Sequence, residues 1–285
     1  MRSTKVISTE KSQVLATRVA EELRVPVVDT RFSRFPDGEL YLRAGELDDE
    51  MVIVSSVVDN DALVQLLLLI DACDGSSNTL VIPYLAYARQ DKRFNPGEPI
   101  SIRAVARALS HGVREIFVVN IHQPDALRYF RVTAANISIA PAVGRYIQSL
   151  EVSNPLILAP DEGAIAFAGD VAAVGGWDCD FLEKNRISSD EIRINPKSLN
   201  VSSRDVVLVD DIISTGGTLA TAAGMLYRQG AATVHAACVH GVLSTGAYAR
   251  LRSVGIATVA SSDTYERACS CIPAAGEIAR AIRPC

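Results

Sequence analysis

The sequence predicts an α/β protein of two lobes, each a mainly parallel sheet flanked by helices, and three observations carry that expectation. Short β-branched apolar runs recur at residues 51–57, 80–83, 115–121, 156–159, 206–209 and 233–239. Helical periodicity fills intervals between and beside them, at 12–23, 61–73, 102–110, 217–228 and 274–282. Near-continuous apolar strands alternating with amphipathic helices belong to parallel sheets covered on both faces. The third observation is length: 285 residues in this pattern would need one unusually wide sheet, so two lobes are expected. The polar stretch 149–155, Ser-Leu-Glu-Val-Ser-Asn-Pro, stands between a helix and a strand and places the boundary there. The expected lobes are 1–150 and 151–285, with the last helix able to fold back on the first lobe.

Composition narrows the class. Apolar residues are 48% and charged residues 21% of the chain, an ordinary globular balance that excludes disordered, collagen-like and coiled-coil readings. The net charge of −5 gives no general field for nucleic acid or an anionic membrane. The longest apolar run, around residues 63–70, is far short of the ~20 residues that span a bilayer. The opening Met-Arg-Ser-Thr-Lys has no apolar core, which argues against export and for a cytoplasmic location. Six cysteines are scattered without CxxC spacing, so reduced thiols rather than a zinc site are expected.

The sharpest chemical signal is the segment 206–218, Val-Val-Leu-Val-Asp-Asp-Ile-Ile-Ser-Thr-Gly-Gly-Thr. Four apolar residues read as a buried strand with Asp210 and Asp211 at its carboxyl end. Ser214, Thr215, Gly216, Gly217 and Thr218 then open a helix, where backbone N–H groups and hydroxyls suit a phosphate. Glycine lets the backbone approach the anion closely. No Lys follows the glycines, so the loop is not a Walker A. The two carboxylates stand where vicinal ribose hydroxyls could donate to them. A plain strand-to-helix turn with capping hydroxyls is the bland alternative; two acids at the strand end favour the ligand site, because open α/β sheets bind ligands there.

Five further stretches draw attention. Phe35, Asp37, Gly38 and Glu39 lie in a turn, with one stacking ring and two acceptors for an amino or hydroxyl group. By itself the hexapeptide 34–39, Arg-Phe-Pro-Asp-Gly-Glu, reads as an exposed loop. Arg89, Gln90 and Asp91 begin a cationic loop that also holds Lys92 and Arg93, able to grip phosphates or simply to be solvated. His122 ends the 115–121 run with Asp125 three residues on, and Asp161 ends the 156–159 run. Lys184 and Arg186 fall in a polar stretch that composition alone reads as an exposed loop.

The 206–218 segment resembles the phosphoribosyl-diphosphate binding motif of type I phosphoribosyltransferases and of ribose-phosphate diphosphokinases. Phe-Pro-Asp-Gly-Glu followed by Tyr-Ala-Arg-Gln-Asp resembles the ATP site of the diphosphokinases, and simple phosphoribosyltransferases lack both. The resemblance runs from near residue 5 to the C-terminus, and the unbroken Gln-Asp-Lys-Arg-Phe-Asn-Pro-Gly-Glu-Pro-Ile stretch is most similar to archaeal members.

That resemblance implies two phosphoribosyltransferase-like lobes and transfer of a diphosphoryl group from Mg-ATP to the C1 hydroxyl of ribose 5-phosphate. It implies ATP binding by Phe35, Asp37, Gly38, Glu39, Arg89, Gln90 and Asp91. Ribose 5-phosphate falls to Arg186, Asp210, Asp211 and Ser214 through Thr218. Mg²⁺ is implied at His122 and Asp161, and catalysis at Lys184 and Arg186, together with a homo-oligomer. Two departures from common members stand out: Glu162-Gly163-Ala164, where many have another residue and Gly-Gly, and Asn185, where a basic residue is frequent. Neither removes an implied acid, cation or metal ligand. A regulatory homologue without activity, or a phosphoribosyltransferase consuming the same product, are the competing classes.

Overall fold

The computed structural model describes residues 3–186, 192–194 and 199–283. In chain order its first half forms β1 (Thr4–Ser8), α1 (Gln13–Leu23), β2 (Thr30–Arg34), β3 (Leu40–Ala44), β4 (Glu50–Val54), α2 (Asn60–Ala72), β5 (Ser77–Ile82), α3 (Ser101–Leu109), β6 (Glu115–Val119) and β7 (Thr133–Ile137). After it come α4 (Ala140–Gln148), β8 (Leu156–Ala159), α5 (Ile165–Gly175), β9 (Cys179–Phe181), β10 (Lys184–Arg186), β11 (Ile192–Ile194) and β12 (Asp205–Ile213). The remainder is α6 (Gly217–Arg228), β13 (Thr233–Gly241), α7 (Ala247–Ser253), β14 (Val259–Ser262), β15 (Ser270–Ile272) and α8 (Ala275–Ile282).

Two units result. The first takes the chain to Ser138, with Thr264–Glu266 and everything from Ala274; the second takes Ile139–Asp263 and Arg267–Pro273. The division thus falls at Ser138, ahead of the 149–155 stretch to which composition assigned it. Helix α4 is the reason. It packs on α5 so closely that a Cβ on Gly144 would lie 2.5 Å from Val174 Cβ, and this contact draws α4 into the second unit. Helix α8 returns to the first unit, where it packs on α1.

In the first unit five parallel strands run in the order β1-β4-β5-β6-β7. Ile7, Ile53, Leu80, Ile82 and Ile116 are fully buried within it. Helix α2 is capped by the Asp59 carboxylate, which accepts from Ala62 N at 2.9 Å, and it seats Leu66, Leu69 and Ile70 in the core. Helix α3 buries Ile102, Val105, Ala106 and Leu109, one stripe of a 3.6-residue period. Outside the sheet, β2 and β3 pair antiparallel as a hairpin. Neither strand stands out as an apolar run in the sequence, because none of their residues is buried, although half-buried and exposed positions alternate along β3 and most of β2.

The second unit carries six parallel strands ordered β15-β14-β13-β12-β8-β9. Chain direction across the sheet reverses at β8, which lies between β9 and β12. Strand β12 extends beyond the expected 206–209 because its pairing with β13 continues from Asp210↔Cys238 to Ile213↔Gly241. Asp210 and Asp211 therefore lie inside the strand's last turn of pairing rather than after it. Strands β9 and β15 have three residues each, too short for a periodicity to register. Strands β10 and β11 form a separate antiparallel ribbon.

Candidate active site

In the second unit β8 and β12 are parallel neighbours with Val206 opposite Leu156 and Leu208 opposite Leu158. Their carboxyl ends leave the sheet along one edge, at the point where strand order reverses, which is where open α/β sheets hold ligands. Asp161 follows β8, and Asp210, Asp211 and the Ser214–Thr218 turn follow along β12. The structure brings these sequence-identified residues to one crevice.

Three carboxylates crowd that crevice. Burial, then the charge of Asp211 and a bond with it, then the charge of Asp161, hold the Asp210 carboxyl well above the usual carboxylate range. Asp210 Oδ1 accepts from Asp211 N at 2.9 Å, and Asp161 Oδ1 accepts from Gly163 N at 3.1 Å. A hard divalent cation takes few protein ligands and completes its shell with water and phosphate oxygens, so a single strand-end carboxylate such as Asp161 suits it. Among the described residues no group of three or more His, Cys, Asp or Glu is placed to hold a metal ion.

Helix α6 begins at Gly217, and its N-cap Gly216 takes the left-handed φ 73° and ψ 3° that glycine adopts freely. A Cβ at Gly216 would stand 3.1 Å from Leu251 Cγ, tighter than an ordinary contact, so Leu251 would have to give by a few tenths of an ångström. Behind the turn runs a second one that sequence reasoning missed. Leu243 N donates to Ile213 O and Ser244 N to Ser214 O, both at 3.0 Å. Arg250, on α7, donates from Nη1 to Thr215 O and from Nη2 to Thr245 O at 3.3 Å. The signal was present: Ser244-Thr245-Gly246 repeats Ser214-Thr215-Gly216 after the neighbouring strand.

In the first unit, parallel β5 and β6 send the Arg89–Asp91 loop and His122 from the same edge of the sheet. The hairpin tip is tight: Phe35 N donates to Glu39 O and Gly38 N to Phe35 O, each at 2.9 Å, with Gly38 at φ 98°. Phe35 is 49% exposed and meets Tyr41 edge-on at 5.7 Å between ring centres. Adjacent residues of α2 tie the two loops: Arg34 pairs with Asp61, and Tyr87 Oη bonds Asn60 Oδ1. Gln90 is anchored through Ser101 Oγ at 2.5 Å. Glu98 closes the loop by accepting from Asn95 Nδ2 at 2.7 Å, Phe94 N at 2.8 Å and Asn95 N at 3.0 Å, which holds its carboxyl below the usual range.

Lys184 and Arg186 are the two ends of β10, paired with Ile194 and Ile192 of β11. The stretch is thus a ribbon strand where composition reads a loop, since β-branched Ile192 and Ile194 supply a partner strand. Their side chains, and residues 187–191 and 195–198, lie outside the described residues.

Comparison with known proteins now bears on this geometry. Residues 4–112 match the family model of the N-terminal domain of ribose phosphate pyrophosphokinase, and residues 129–254 match the phosphoribosyl transferase domain. A protein named ribose-phosphate pyrophosphokinase from Methanosarcina acetivorans is 47% identical over 98% of this chain and 99% of its own length. One of the same name from Methanopyrus kandleri is 41% identical, over 97% and 98%. The crystal structure of phosphoribosylpyrophosphate synthetase from Mycobacterium smegmatis superposes with a TM-score of 0.83 at 28% identity, covering 99% of this chain and 98% of that one.

Proposed function

This chain belongs to the ribose-phosphate pyrophosphokinase family, and we propose that it transfers the diphosphoryl group of Mg-ATP to the C1 hydroxyl of ribose 5-phosphate, releasing AMP. The observation that carries this reading is the crevice beside β8 and β12, which sets two strand-end carboxylates next to a Ser-Thr-Gly-Gly-Thr turn that opens a helix.

Ser214 through Thr218 bind the 5-phosphate through N–H groups and hydroxyls, helped by the positive end of α6. Asp210 and Asp211 accept from the ribose hydroxyls and fix the ring. Phe35 stacks on adenine while Asp37 and Glu39 accept from the nucleoside, with Gly38 keeping the turn tight. Arg89 grips the polyphosphate chain, and Gln90 and Asp91 orient it. The sugar's anomeric oxygen attacks the β-phosphorus in line, and AMP departs. Such a transfer needs alignment and neutralised charge more than covalent help. Lys184 and Arg186 supply that neutralisation from the protein. His122 and Asp161 would hold Mg²⁺, which neutralises phosphate charge when bound.

The enzyme acts in the cytoplasm as a homo-oligomer in which the Phe35–Glu39 tip reaches a site completed by another chain. No helix among the described residues is long and apolar enough to cross a membrane. The test is detection of AMP from ATP, with ribose 5-phosphate omitted as control. AMP formation only with the sugar present supports the reading. Its absence leaves a regulatory homologue, and product consumption with a free base, independent of ATP, identifies a phosphoribosyltransferase.

A further inference from the structure

We propose that Arg250 is a positioning residue that aims the backbone of the Ser214–Thr218 turn at the sugar phosphate. The proposal rests on the reading of that turn as the 5-phosphate site.

The argument begins with the peptide plane. In a trans peptide the C=O of one residue and the N–H of the next point in opposite directions. Ser214 O is held by Ser244 N at 3.0 Å, and Thr215 O by the Arg250 guanidinium. The N–H groups of Thr215 and Gly216 are consequently turned away from the 243–250 segment. Two successive carbonyls drawn to one side set two successive N–H groups on the other, the arrangement of an anion-binding nest.

Left alone, the turn has little reason to stay so. Gly216 sits at φ 73°, and glycine visits many other conformations at no steric cost. Arg250 restricts it from outside. Its fork spans Thr215 O and Thr245 O and so couples the two Ser-Thr-Gly turns. The neighbouring Leu251 is fully buried against Gly216, which fixes α7 and hence the root of the arginine. A lysine has a single point charge and no planar fork, so it does not reproduce the guanidinium's paired contact with both carbonyls. The guanidinium also adds positive charge behind the turn, on the side that favours an anion in front of it.

The experiment is steady-state kinetics of Arg250→Ala in the full chain, with Arg250→Lys beside it. Losing a charged hydrogen bond to the turn is expected to raise KM for ribose 5-phosphate about tenfold. KM for ATP and kcat at saturating sugar should stay within about twofold, and added guanidinium ion at millimolar concentration should recover part of the loss in the alanine variant. An unchanged sugar KM overturns the proposal. So does an equal rise in both KM values without guanidinium rescue, which marks general damage to the fold. Thr218→Val separates the two layers of inference. If it leaves sugar KM unaltered, the 5-phosphate reading itself fails. If it raises sugar KM while Arg250→Ala does not, only the role of Arg250 fails.

Discussion

Ser214 and Ser244 stand hydroxyl to hydroxyl, 3.4 Å apart, at the same position of two adjacent Ser-Thr-Gly turns. Each turn ends a long strand, and each glycine, Gly216 and Gly246, takes φ 73° before a helix. The environments differ. A Cβ on Gly216 would press on Leu251 Cγ at 3.1 Å, whereas one on Gly246 would meet nothing within 4 Å. Alanine at either position takes on about 1–2 kcal/mol of left-handed backbone strain. Gly216→Ala adds a tight contact with Leu251 and so presses on the 214–218 turn. It should unfold at lower urea than Gly246→Ala and raise KM for ribose 5-phosphate. Equal midpoints and an unchanged sugar KM in the two variants would contradict this.

Lys184 is assigned to charge stabilisation during transfer. Lys184→Ala should lose turnover by at least ~10²-fold while nucleotide affinity barely changes, as expected when only the transition state is deprived of a contact. Rapid turnover in this variant removes the assignment.

Asp211 is assigned to the ribose hydroxyls, beside an Asp210 carboxyl that burial and two neighbouring charges push upward. Asp211→Ala should chiefly weaken ribose 5-phosphate binding, by roughly tenfold for one lost charged hydrogen bond. Titration of the sugar into the variant by calorimetry checks this, and unaltered affinity counts against the ribose role.

His235 lies in a buried chain of hydroxyls whose directions fix its tautomer. Thr233 Oγ1 donates to Asp205 Oδ1 at 2.5 Å, so it accepts from His235 Nε2–H at 3.0 Å, and His235 Nδ1 accepts from Thr258 Oγ1 at 2.9 Å. Burial, partly offset by the charge of Asp205, lowers the imidazole pKa. The unfolded chain therefore takes up this proton more readily than the folded one. The stability due to neutral His235 is complete above the unfolded value of about 6.5 and is lost as pH falls through it. Urea midpoints at pH 8 and pH 5.5 should differ less in His235→Gln than in wild type. A larger acid loss in the variant would reverse the sign.

The described cysteines, 73, 179, 238, 269 and 271, are free thiols, and their surroundings rank them. Burial pushes Cys73 up to about 12 and raises Cys238 far above its ordinary value; partial burial also raises the Cys271 thiol, but that residue is exposed to reagent. Iodoacetamide at pH 8 should modify Cys271 and spare Cys73 and Cys238 until urea opens the fold. Peptide mass spectrometry reads the result, and Cys73 labelling at the rate of Cys271 would refute the ranking. Cys285 lies outside the described residues.

Much of the architecture was legible because it is local. Residues 217–228 have helical periodicity and become α6 with the same bounds, and the apolar run at 156–159 becomes β8. Asp210, Asp211 and the turn after them were identifiable from the nine consecutive residues 210–218, whose chemistry needs no distant partner. The β2–β3 hairpin was less legible, since its strands are half-exposed and owe their register to each other. Strands β9 and β15 exist only because a longer neighbour supplies hydrogen bonds to three residues.

The chain's own order thus determined the α/β class, the strand-end acids and the glycine turn, because each follows from side-chain periodicity or from a contiguous motif. Tertiary structure decided the rest. It placed α4 in the second unit through the close contact of Gly144 with Val174, and it returned α8 to the first through α1. It also set Arg250 behind Thr215, thirty-five residues away along the chain, where only the parallel pairing of β12 with β13 could bring it. Hydrogen bonds between distant backbone groups leave no periodic trace in sequence, and they are what orient this turn.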